Sequence, residues 1–175
     1  MSYRTRFAAA AALTLTAVTL TATIAGSALP TSASHNDGGH RLVRTDDLVP
    51  VQPPFTGATN PIRGINGGGL PWVISEGEIE VRANGRVHME VEGLVIDPTE
   101  TAVPAIAGIN PIATFAVVVS CLHADGTWTN VTTAPTPADR AGNAELDTMV
   151  SLPADCMSPV AFVTNGTGKA WFARS

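Results

Sequence analysis

The sequence predicts an all-β protein: a two-layer antiparallel β-sandwich of immunoglobulin-like architecture, with a compact β-barrel as the alternative closure. Three observations carry that expectation. About seven or eight short apolar stretches alternate in polarity with a period of two. Turn-forming residues separate them, as at Ala83-Asn84-Gly85, Ala124-Asp125-Gly126 and Asn165-Gly166-Thr167-Gly168. No segment carries a helical period, and Ala102 to Ala107 is too short, with Pro104 inside it and Pro111 soon after.

The chain of 175 residues divides into three parts. Residues 1–33 read as an export signal. Arg4 and Arg6 form a basic start, Phe7 to Ala28 is uncharged and rich in Ala, Thr and Leu, and small residues at Ala28, Ser32, Ala33 and Ser34 suit cleavage after Ala28 or Ala33. A retained anchor is the competing reading, since such a stretch reaches the roughly 20 residues that a bilayer needs. Its threonines and clustered small residues favour removal, so no membrane insertion is expected after cleavage. Loss of Arg4 and Arg6 takes the formal charge from −5 to −7. An acidic chain repels phosphate backbones and anionic lipid, which excludes nucleic acid as a partner class.

Residues 34–61 read as an extended or flexible lead-in, with "VPVQPPF" in the middle and a short edge strand around Leu48 to Val51 as an option. His35 and His40, close to a new N-terminus, raise a Cu²⁺ or Ni²⁺ reading that depends on where cleavage falls. Residues 62–175 read as a single β-sandwich domain. It opens on "RGINGGGLPWVI", where Gly67 to Gly69 call for positive φ or a close backbone approach, and Trp72 to Ile74 begins a strand. These glycines are not a phosphate loop, because neither Lys-Ser nor Lys-Thr follows them.

The stretch "SEGEIEVRANGRVHMEVEG" sets a hairpin register. A two-residue Asn84-Gly85 turn would put Val81 opposite His88 and mix apolar with charged side chains on both faces. A three-residue loop, with Gly85 left-handed in a G1 bulge, pairs Val81 with Val87 and Ile79 with Met89. Glu76 then faces Glu92, Glu78 faces Glu90, and Glu80 faces His88. The same device at Ala124-Asp125-Gly126 pairs Leu122 with Trp128 and Val119 with Val131, and it alternates Phe115, Val117, Val119 and Cys121 onto one face. Further strands are expected at Asn143 to Leu152, Val160 to Thr164 and Lys169 to Arg174, with Phe162 near Trp171.

Cys121 and Cys156 are the only cysteines. In an exported chain they are expected to form a disulfide, and neither a CxxC nor a zinc-type Cys/His spacing competes.

The chain resembles a group of small, uncharacterised secreted proteins of actinobacteria and related soil bacteria. The resemblance rests on "GGGLPWVISEGE" at Gly67 to Glu78, "VEGLVI" at Val91 to Ile96, "VVSCL" at Val118 to Leu122, "NVTT" at Asn130 to Thr133 and "PVAFVTNGTGKAWFA" at Pro159 to Ala173. It covers the chain from Ile62 onward. It implies secretion and a compact domain, and it names no substrate.

The acidic ladder is the one ordered chemical pattern. Carboxylates opposite one another on paired strands lie about 5 Å apart and can collect Ca²⁺, which makes Glu78, Glu80, Glu90 and Glu92 candidate ligands; His88 leans toward a transition metal. The alternative is a solvated sheet face that discourages edge association. No calcium loop accompanies the ladder, so no cofactor is expected. A flat row of carboxylates lacks the cleft that a glycosidase needs. Ser120, His123 and Asp125 crowd one strand end without triad spacing, and no G-x-S-x-G is present. Asn130 and Asn165 match the N-glycosylation pattern, where strand and turn chemistry is the simpler role. The expected function is non-enzymatic: a secreted domain, extracellular or associated with the envelope, that binds a protein, glycan or cell-surface ligand or serves a structural role. An extracellular hydrolase with a site assembled from loops, and a cation-binding domain, are the alternatives.

Overall fold

The computed structural model describes residues 39–175; the expected export signal and His35 lie outside them. The described residues form thirteen strands and no helix. Eight strands have five or more residues: β1 (Arg41–Thr45), β5 (Glu76–Arg82), β6 (Arg86–Glu92), β8 (Thr114–Leu122), β9 (Trp128–Thr132), β11 (Ala144–Met149), β12 (Met157–Asn165) and β13 (Ala170–Arg174). The others are two-residue strands: β2 (Val49–Pro50), β3 (Asn66–Gly67), β4 (Trp72–Val73), β7 (Val95–Ile96) and β10 (Thr136–Pro137).

Two sheets make the layers, and neither closes into a barrel. One runs β1-β5-β6-β11; the other runs β10-β8-β12-β13-β2, with β9 paired to β8 and β3 paired to β13. All pairings are antiparallel except the short β3–β13 pair. Ile79, Val81, Val87, Met89, Val91 and Leu146 of the first sheet join Phe115, Val117, Val119 and Val163 of the second in one apolar cluster. Trp72, in the same cluster, stacks on Phe172 with ring centroids 4.2 Å apart.

The hairpin register is the expected one, with Val81 opposite Val87 and Glu80 opposite His88. Gly85 has φ +91°, and a Cβ there would stand 1.9 Å from the Val150 carbonyl oxygen, so glycine is required on two counts. At the second hairpin Leu122 faces Trp128 and Val119 faces Val131. Within the three-glycine run, Gly67 and Gly68 serve close approach and not positive φ: a Cβ on Gly67 would meet the Phe55 carbonyl oxygen at 1.8 Å, and one on Gly68 would press on Phe172 and Trp72, whereas Gly69 has open space beside it.

One expectation needs correction. The segment read as an extended or flexible lead-in joins the sheets from Arg41 onward: β1 extends the first sheet, and β2, at the edge strand expected as an option around Leu48 to Val51, pairs with β13, with Leu48 and Val51 buried in the core. Its polar composition concealed this because an edge strand needs only one apolar face. On β8 the expected face of Phe115, Val117, Val119 and Cys121 is buried in the core, and the residues between them are buried as well, from Phe115 to Cys121. The stretch from Pro61 to Gly67 is fastened to the second sheet. Arg63 donates to the carbonyls of Ser120 at 2.7 Å and Ser158 at 2.8 Å, Gly64 lies against Trp128, and Gly67 pairs with Trp171. Arg63 and Ser158 both take positive φ, strain that their shared hydrogen bond helps to hold.

Cys121 and Cys156 are bonded, with their Cα atoms 4.6 Å apart. The bridge ties the end of β8 to the loop before β12. Closing a loop of this separation, 35 residues, stabilises by roughly 3 to 4 kcal/mol on the chain-entropy estimate. Replacing both cysteines by alanine is expected to lower the denaturation free energy by about that amount. Urea unfolding of the two proteins checks it, and equal midpoints would show that the bridge adds nothing.

Candidate functional site

The solvent face of the first sheet is built by alternation. With Ile79, Val81, Val87, Met89 and Val91 turned inward, the residues between them must point out. Pairing then arranges the outward side chains in rows across the strands. Arg44, Glu80, His88 and Asp147 form one row; Glu78, Glu90 and Glu145 form the next, and Glu76 and Glu92 follow. Arg41, Arg82 and Arg86 lie at the hairpin end. Positive charge therefore collects at one end of the face and negative charge at the other.

At the basic end the charges are partnered. The Glu80 side chain is 13% exposed and meets Arg82 at close range, Arg41 at 3.4 Å and Arg44 at 3.7 Å. Burial pushes its carboxyl upward, but the Arg82 hydrogen bond and the charges of Arg82, Arg41 and Arg44 outweigh that and hold it below the usual carboxylate range. Arg86 grips Asp147 with both arms of its guanidinium, at 2.6 and 3.2 Å. That hydrogen bonding lowers the Asp147 carboxyl and raises the Arg86 guanidinium.

At the acidic end compensation is thin. Arg44 reaches Glu78 at 3.7 Å. Asp46, Ser75, Glu76, Gly77, Glu78, Glu90 and Glu92 line an open groove of about 330 Å³. Among the described residues, no group of three or more His, Cys, Asp or Glu is placed to hold a metal ion. The ladder is a row and not a cage: Glu80 is enclosed by arginines, His88 sits beside Asp147, and Glu78, Glu90 and Glu92 spread along the sheet. His40 lies at the start of the described chain, where its carbonyl accepts from Ala83.

A second cluster escaped the sequence reading. Ser120 is buried and Asp125 is held by the Thr127 hydroxyl and amide, so these two do not join His123. Instead the His123 Nδ1 lies 2.8 Å from Asp155 and its Nε2 lies 2.8 Å from the Thr129 hydroxyl. The signal was available: Thr129 pairs with Cys121, which is bonded to the neighbour of Asp155. Carboxylate, imidazole and hydroxyl in series can relay a proton, and they also clamp β9 to the loop beside the disulfide. The two glycosylation-pattern asparagines serve local structure. The Asn130 amide donates to the Arg63 carbonyl, and the Asn165 side chain accepts from the amide of Lys169 in the last turn.

Fold and surface together define a disulfide-tied β-sandwich that carries a charge-divided sheet face. No protein-family model, no curated protein and no solved structure matches the chain.

The Glu80 cluster has a pH signature. Its folded-state pKa lies below the ordinary value of 4.5, so its contribution is complete above that value and is lost as pH falls through the lowered one. Glu80→Gln is expected to lower stability by about 1 to 2 kcal/mol at neutral pH and to flatten the acid limb. Thermal melts between about pH 7 and pH 3 check this. Parallel curves for the two proteins would show that Glu80 is not a determinant of acid stability.

Proposed function

We propose that the protein is an exported, non-enzymatic β-sandwich that binds a protein, glycan or cell-surface partner in the extracellular space or the envelope. The observation that carries this reading is the charge-divided face of the first sheet. A broad surface with arginines at one end and carboxylates at the other suits a macromolecular partner of complementary charge, and it offers no closed cavity for a small substrate. The disulfide and the N-terminal export pattern support an oxidising destination. The resemblance to small secreted actinobacterial proteins points the same way.

The test is retention of envelope and medium components on the immobilised protein. Retention should fall with rising salt, and it should drop about tenfold, equivalent to about 1.4 kcal/mol, in the double variant Glu78→Lys and Glu90→Lys at an unchanged melting temperature. Retention that ignores both salt and charge reversal would remove this face from the function.

The series Asp155, His123 and Thr129 supports a second reading, an extracellular hydrolase. In that case the Thr129 oxygen attacks a carbonyl while its proton passes to His123 Nε2, which returns it to the leaving group as the scissile bond breaks, and water then releases the acyl group from Thr129. A fluorophosphonate probe separates the two readings by mass spectrometry. The binding reading expects no adduct; an adduct on Thr129 that disappears in His123→Gln would decide for the hydrolase.

A further inference from the structure

Sheet edges expose unpaired backbone groups, and folded proteins shield them with charge, proline, bulges or brevity. Most edges here follow that rule. β1 carries Arg41 and Arg44 and a register irregularity between Arg41 and Val43. β11 carries Glu145 and Asp147, and the Thr136 hydroxyl donates to the Glu145 carbonyl. β2 and β10 are two-residue strands that contain Pro50 and Pro137.

β9 is different. Its sequence, Trp128-Thr129-Asn130-Val131-Thr132, has no charge and no proline, and it is rich in residues that favour strands. Pairing with β8 engages the backbone on one side only. Thr133 donates to Val117, and His123 donates to Thr127, so the odd-numbered residues turn their amides and carbonyls toward β8. The amides and carbonyls of Trp128, Asn130 and Thr132 therefore point away from the sheet, and among the described residues no strand pairs with them. The Trp128 side chain is 49% exposed at the end of this edge, in one row with Leu122 and the half-exposed Met157.

We propose that β9 is a self-association edge, where a second copy of this chain adds its own β9 in antiparallel register about a two-fold axis at Asn130. Self-complementarity selects this occupant. Centring the pair on Asn130 sets Trp128 opposite Thr132 of the second copy and Asn130 opposite its counterpart, so every outward amide of the strand meets an outward carbonyl. Two copies of an acidic chain repel, and this uncharged edge is where they can approach with least repulsion. Among the described strands of five or more residues, β9 is the one edge without charge, proline or a bulge, so a β9–β9 contact leaves no like edge free and assembly closes at a dimer and does not run on as a fibre.

The experiment uses the protein recovered from an exporting host. Sedimentation equilibrium across a concentration series should give twice the monomer mass at the upper end. Asn130→Pro removes an outward amide without touching the β8 ladder and should give the monomer mass throughout. Asn130→Ala loses only the side-chain bond to the Arg63 carbonyl and should dimerise like the parent. Hydrogen exchange on the parent supplies a readout that needs no variant to fold. The amides of Trp128, Asn130 and Thr132 should slow as concentration rises, while those of Thr129 and Val131 stay unchanged. A monomer at every concentration overturns the proposal, as does a dimer in which the three outward amides exchange at a constant rate. Capture of a foreign extended segment on β9 without self-association would reassign the edge to that partner and also overturn it.

Discussion

The domain is organised around one constraint: β8 must be kept from water on both of its faces. Its run Phe115-Ala116-Val117-Val118-Val119-Ser120-Cys121 is buried throughout, which an isolated two-layer sandwich does for neither sheet. One face is covered by the facing sheet. Toward the other, the chain returns across the sheet before entering β4, and Arg63 fastens that return to the carbonyls of Ser120 and Ser158. The chain then continues into β3, where Gly67 pairs edge-on with Trp171 of β13 and the Phe55 carbonyl packs too close to Gly67 for any side chain. Thr164, buried on the same sheet, satisfies its hydroxyl on the Ala116 carbonyl. The disulfide then closes the end of the strand at Cys121.

Much of this was legible from local patterns. The hairpin at Ala83-Asn84-Gly85 could be placed in register because only one loop length sorts Ile79, Val81, Val87 and Met89 from the glutamates between them. Two cysteines admit one intramolecular pairing, so the bridge was readable as well. What stayed hidden depended on distant pairings. β1 reads as polar tail because "RLVRT" has one half-buried face, and only its partner β5 shows that Arg41 and Arg44 are the counter-charges of Glu80 and Glu78. Burial of β8 on both faces was concealed for a related reason: a continuous apolar run is compatible with a one-sided strand, and Arg63, which reaches the Ser120 carbonyl, stands far back in the chain. The contact of His123 with Asp155 likewise needs the disulfide and the β8–β9 register together.

The distribution of charge on the first sheet is not what stability alone would select. Like charges placed directly opposite on neighbouring strands are unfavourable, and interleaving arginine with glutamate along each row would remove the conflict. The chain does this at one end, where Glu80 sits among Arg41, Arg44 and Arg82, and Asp147 is gripped by Arg86. It does the reverse at the other, where Glu78, Glu90 and Glu145 fall in one row and Glu76 faces Glu92. Cohesion is secured elsewhere, by the buried β8 and the bridge at its end, so the fold does not depend on charge pairing at this end. An exposed row of like charge is complementary to a partner of opposite charge, in keeping with the proposed binding role.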